Sequence, residues 1–113
     1  MVLGVEGYSY RPYKTYHPHL GWAYVPNSLF RVIAPRGDPH YFIKTNNRGF
    51  RNNIDFSDTN KADKRIIFLG DSFTAGDGVP NEHRFSDLVS NSFKNMESFN
   101  LGVFGWGLDQ QVL

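Results

Sequence analysis

The chain has 113 residues, enough for one small domain, and a formal net charge of +1. That charge leaves no footprint for nucleic acid or an anionic membrane surface, and the absence of cysteine removes disulfides, thiol catalysis and cysteine metal sites. No run approaches the ~18 apolar residues of a membrane span, and residues 1–6 are too short an apolar run for a signal peptide, which leaves the cytoplasm as the default compartment.

Residues 1–15 interleave Tyr8, Tyr10 and Tyr13 with Arg11 and Lys14. Such an arm can stack on sugars or bases, or pack on its own domain. His17 and His19 flank Pro18, which favours extended backbone. Metal sites usually show three or four ligands, and no third lies nearby, so no metal is assigned. Residues 28–34 and 40–45 read as strands of a hairpin, joined by the turn signal Pro35-Arg36-Gly37-Asp38-Pro39. Gly37 and Asp38 belong in a turn for backbone reasons, so the Arg-Gly-Asp tripeptide carries no adhesion role. Residues 46–51 suit a tight turn with Asn or Gly at positive φ. Arg51 there is open to three readings: a carboxylate partner, a substrate contact or a solvated turn. The polar residues 52–63 read as a linker.

Residues 65–69, Arg-Ile-Ile-Phe-Leu, are apolar without alternation, as in a strand buried on both faces of a parallel sheet. Gly70-Asp71-Ser72 follows, and Gly70 permits a sharp turn. Ser72 then sits at the carboxyl end of the strand, where ligands bind in α/β sheets, with a helix N-terminus behind it. A serine there can attack an acyl carbon, hydrogen-bond a phosphate, or simply cap a helix. Residues 82–95 carry Phe85, Leu88, Val89 and Phe93 at helical spacing, one face of an amphipathic helix turned to the core. Residues 97–101 read as a second strand, and Asp109 as the cap of a helix over residues 110–113. No Gly-x-Gly-x-x-Gly follows the strand, which argues against hydride transfer, and no Gly-Lys-Ser/Thr occurs, which excludes a P-loop.

Gly70-Asp71-Ser72 with Thr74 and Gly76, straight after an apolar strand, resembles the first sequence block of the GDSL, or SGNH, hydrolase family. Thr74 separates it from the Gly-x-Ser-x-Gly elbow of α/β-hydrolases. Asn100-Leu101-Gly102-Val103-Phe104-Gly105 resembles the family's second block. The order Leu20-Gly21, Pro26-Asn27, then residues 46–51, is similar to β-extensions that precede the first block in bacterial members. The resemblance implies a three-layer α/β/α, flavodoxin-like sheet, here truncated, over residues 63–113, after an extension over residues 1–62 with a β-hairpin.

It also implies hydrolysis of a carboxylic ester through an acyl-serine, with no cofactor, on a small-molecule or glycan ester such as a carbohydrate acetyl ester. Ser72 is then the nucleophile. The N–H groups of Ser72 and Gly105 supply the oxyanion hole, and Asp71 and Asn100 support them. Phe104 and Trp106 are either pocket walls or core. Two further family blocks, Gly-x-Asn-Asp and Asp-x-x-His, do not occur in residues 1–113. His83 is the one histidine after Ser72, while His17, His19 and His40 lie before the first block. The chain therefore reads as the N-terminal part of such an enzyme, inactive alone. The rival reading is a non-catalytic module that binds an anion or a carbohydrate.

Overall fold

Seven strands and three short helices are seen among the described residues of the computed structural model, which are 2–5, 13–32, 40–57 and 62–113. The strands are β1 (Val2–Val5), β2 (Lys14–His17), β3 (Gly21–Tyr24), β4 (Leu29–Val32), β5 (Tyr41–Lys44), β6 (Lys64–Phe68) and β7 (Met96–Asn100). The helices are α1 (Ser72–Ala75), α2 (Phe85–Asn91) and α3 (Leu108–Val112), with a 3₁₀ turn at Asn81–His83. β2 and β3 form an antiparallel hairpin. β4 pairs antiparallel with β5 and parallel with β1. β6 and β7 pair in parallel, from Lys64 opposite Met96 to Phe68 opposite Asn100, with α2 in the crossover. The Arg-Gly-Asp turn and the tyrosines Tyr8 and Tyr10 lie outside the described residues.

The class is mixed α/β, but the expected three-layer flavodoxin-like sheet is not there. The strands form sheets of three, two and two strands. The parallel pair has no third strand beside it among the described residues, and the helices run one to two turns. The strand expected to be buried on both faces is an edge: Ile67 and Leu69 are each 52% exposed. The helix at 85–91 reverses the expectation for its apolar face. It turns Ser86 onto β7, where the Ser98 hydroxyl donates to the Ser86 carbonyl at 3.0 Å. Phe85, Leu88 and Phe93 stay largely exposed, and Phe85 meets the Phe68 ring edge-on at 5.3 Å. A hydrophobic stripe locates the apolar side of a helix but does not supply what would cover it.

The core is aromatic and crosses the two halves of the chain. Tyr24 from β3 is buried with Val103 and Trp106, against half-buried Trp22, Phe50 and Phe104. A second cluster, Phe30, Tyr41 and Ile43, lies under the β4–β5 pair. The Tyr24 hydroxyl accepts from the Phe104 N–H at 3.2 Å, and the Trp106 indole donates to the Trp22 carbonyl at 3.1 Å. The tight turn over residues 46–51 forms as expected, with Gly49 at φ +77.

Of the segment expected as a linker, residues 52–57 are packed instead, while residues 58–61 lie outside the described residues. Phe56 stacks on Phe99 at 4.0 Å. The buried Asn52 side chain acts as an extra piece of strand for β7: its amide donates to the Asn100 carbonyl and its oxygen accepts from the Asn100 N–H, both at 2.9 Å. Removing it leaves two buried backbone groups unpaired. We expect Asn52→Ala to lower stability by about 2–3 kcal/mol in urea unfolding. A loss within the ~0.5 kcal/mol of ordinary surface changes would show that this pairing is not structural.

Candidate active site

The parallel register carries both motif loops to one end of the sheet. Beyond the last pair, the Leu101 N–H donates to the Phe68 carbonyl at 2.8 Å and the Val103 N–H to the Gly70 carbonyl at 3.2 Å. The loop after β7 thereby lies along the loop before α1. Gly102 makes this approach possible, since a Cβ there would collide with the Ala75 nitrogen and the Thr74 carbonyl carbon. The chain turns at Gly70 without a positive φ. Glycine is required there because a Cβ would overlap the Thr74 hydroxyl.

Asp71, not Ser72, is the helix cap. Its carboxylate accepts from the Phe73 N–H at 3.0 Å. Ser72 is the first helical residue, half-buried, and its hydroxyl bonds to none of the described residues. The capping alternative for Ser72 is therefore removed. The helix behind it is a single turn, closed at Gly76 in the left-handed region, so its dipole is small. Asp109 likewise does not cap α3; Gly107 precedes that helix, and its N–H donates to the Gln110 side chain at 2.8 Å.

Asn100 supports the site from below. Its amide donates to the Thr74 carbonyl at 2.6 Å and to the Ser86 hydroxyl at 2.8 Å, and its oxygen accepts from the Gly102 N–H at 2.9 Å. One side chain thus ties α1, α2 and the second loop together. Gly105 is exposed in that loop at φ +77. It is not among the residues that wall the cavity over Ser72. Trp106 is both core, at 6% exposure, and a wall of a cavity of about 380 Å³ with His17, Leu20 and Phe50, away from Ser72. Phe104 is half-buried and lines a separate cavity of about 220 Å³ with Asp77 and Tyr41.

The residue that matters most beyond the motifs is Arg51, and none of its three expected readings fits. It is fully buried and has no carboxylate partner among the described residues. Its Nη1 donates to the Ala75 and Gly76 carbonyls, each at 2.7 Å, and its Nη2 to the Val79 carbonyl. Its Nε donates to the Asn81 side chain at 2.7 Å. The last carbonyls of α1, which a helix leaves unpaired, are satisfied by this guanidinium. Burial, aided by the nearby Arg84, pulls its pKa down to about 10, so it stays charged at neutral pH. No sequence signal separates such an arginine from a solvated one.

A cavity of about 320 Å³ opens over α1, walled by Ser72, Phe73, Asp77, His83, Arg84 and Phe85. It brings His83 into the same space as Ser72, with no hydrogen bond between them. The other histidines are engaged elsewhere. His17 Nδ1 accepts from the backbone of His19 and Leu20 and so closes the β2–β3 turn. His40 Nδ1 lies 2.9 Å from the Arg31 guanidinium. Among the described residues no group of three His, Cys, Asp or Glu side chains could hold a metal ion, and no helix is long and apolar enough to cross a membrane.

Against known proteins, no family model and no curated sequence matches the chain.

Two measurements check this site. Arg51→Met leaves the carbonyls of residues 75, 76 and 79 without their donor, and we expect a loss above about 3 kcal/mol in denaturant unfolding, with Arg51→Lys recovering only part of it. A loss below about 1 kcal/mol would remove Arg51 as the tie. Burial raises the pKa of Tyr24 above its ordinary 10.0. The native state then holds that proton longer than the unfolded chain, so this contribution is complete below pH 10 and is lost as pH rises further. Arg51, depressed when folded, acts with the opposite sign over the same range. Comparison of wild type with Tyr24→Phe isolates the tyrosine: the variant's unfolding free energy should fall less steeply above pH 10. Equal slopes would contradict it.

Proposed function

We propose that Ser72 is the nucleophile of a carboxylic-ester hydrolase of the GDSL/SGNH type. The observation that carries this reading is the free Ser72 hydroxyl. Asp71 takes the capping role, and Ser72 is left on the wall of a cavity shared with Asp77, His83 and Arg84.

The chemistry follows from the positions. The Ser72 oxygen attacks the acyl carbon, and the carbonyl π bond opens to an oxyanion. The Ser72 N–H, not bonded to a described residue, donates to that oxyanion; losing one such donor typically costs about 10²–10³ in rate. Gly105, expected as a second donor, does not wall the cavity over Ser72 and supplies none in this arrangement. The alkoxide leaves with a proton, and water then cleaves the acyl-serine. The serine proton needs an acceptor. No described residue is hydrogen-bonded to the hydroxyl, and this reading assigns the acceptor to none of the described residues.

The second reading, a non-catalytic anion- or carbohydrate-binding module, draws on that same missing acceptor. Steady-state ester hydrolysis separates the two. In the protein as its gene encodes it, Ser72→Ala should lower kcat by at least about 10³, with KM little changed. Residues 1–113 alone should show no Ser72-dependent turnover. Turnover that survives Ser72→Ala would contradict the nucleophile. Ser72-dependent turnover by residues 1–113 alone would place the acceptor among them, with His83 the first suspect.

A further inference from the structure

We infer that the cleft between β5 and residues 78–83 is a binding subsite for an uncharged, polyhydroxylated group, a sugar of a glycan ester. It rests on the Ser72 reading only for its orientation toward that residue; the binding itself needs no chemistry. The cleft encloses about 590 Å³. It adjoins the cavity over Ser72, since Val79 and His83 wall both.

Strand alternation builds one wall. Tyr41 and Ile43 point into the core, so Phe42 and Lys44 stand on the outer face of β5. The opposite wall is the loop with Val79, Pro80 and Glu82. The two walls are tied before any ligand arrives. The buried Asn81 amide donates to the Lys44 carbonyl and to the Asn53 side chain, each at 3.0 Å, while its oxygen takes the Arg51 bond. The Gly78 N–H donates to the Tyr41 hydroxyl at 3.2 Å. A cleft held by buried hydrogen bonds loses little freedom when it binds, which favours a real site over a passing crevice.

The lining sets the ligand class. The Phe42 ring is 44% exposed, a platform for the C–H face of a sugar ring, and Val79 and Pro80 face it across the cleft. Lys44 offers donors, Glu82 acceptors and Asn53 both, the mixture that hydroxyl groups use. Lys44 and Glu82 offset one another in formal charge, and His40 and His83 add to the polar part of a mainly apolar lining.

Nuclear magnetic resonance titration of the full 113-residue chain tests this, in the Ser72→Ala background so that no hydrolysis intervenes. The probe is an O-acetylated neutral xylo-oligosaccharide. We expect saturable shifts in residues 40–44 and 78–83, and roughly tenfold weaker binding in Phe42→Ala. Phe42 is partly exposed, and the circular dichroism of that variant checks that it folds; Glu82→Gln, at a fully surface position, is the second variant and should also weaken binding. Absence of saturable binding, or equal affinity in both variants, overturns the subsite even if Ser72 proves to be the nucleophile. Decanoate occupying the same residues in place of the oligosaccharide overturns the sugar assignment. Binding that persists while Ser72→Ala leaves turnover unchanged keeps the subsite and removes the nucleophile.

Discussion

The site depends on one buried guanidinium. Helix α1 is a single turn and cannot hold itself together, since a first turn fixes several residues for one hydrogen bond. Its last carbonyls point away from solvent toward the β-rich half of the chain. Arg51 meets them with a planar set of donors and also grips the loop that follows, at Val79 and Asn81. Burying a cation without a carboxylate is costly. The cost is offset only because nearly every donor finds an oxygen and the ring of Tyr41 lies 5.7 Å below it. The half that carries Arg51 is therefore structurally inseparable from Ser72. Asn52, next in sequence, extends the same attachment to the edge of β7.

Arg84 shows the other side of this arrangement. Its stem lies against Gly76, and its Nε bonds Asp87 at 2.9 Å. Its two terminal nitrogens are buried without a hydrogen bond to any described residue. Two buried cations thus stand close together against one bonded carboxylate. Such an arrangement is poor for stability alone. It sits at the wall of the cavity that holds Ser72.

Local order was legible in the sequence where a pattern has a short-range cause. Strands β4, β5, β6 and β7 fall on the β-branched and aromatic runs, and Gly49 takes the positive φ that the turn over residues 46–51 requires. The proposed nucleophile stands at the strand end where its motif places it. Three features could not be read this way. The exposure of Phe85 and Leu88 depends on what lies beside α2, not on the helix's own periodicity. The polar run 52–57 looked like a linker because its asparagines bond backbone, and side-chain-to-backbone pairing leaves no periodic trace. Strand β2 was hidden because it starts at the end of the tyrosine-rich stretch over residues 1–15, which fits a surface arm as well as a hairpin. The wide sheet expected from family resemblance failed for the same reason: a resemblance carried by two loops says nothing about how many strands stand beside them.

The account turns on whether Ser72 forms a covalent intermediate. The most direct measurement is to incubate the protein, as its gene encodes it, with a fluorophosphonate and locate the adduct by peptide mass spectrometry. The account predicts an adduct on Ser72 and none after Ser72→Ala. An adduct on another residue, or ester turnover that continues with Ser72 unmodified, would contradict it.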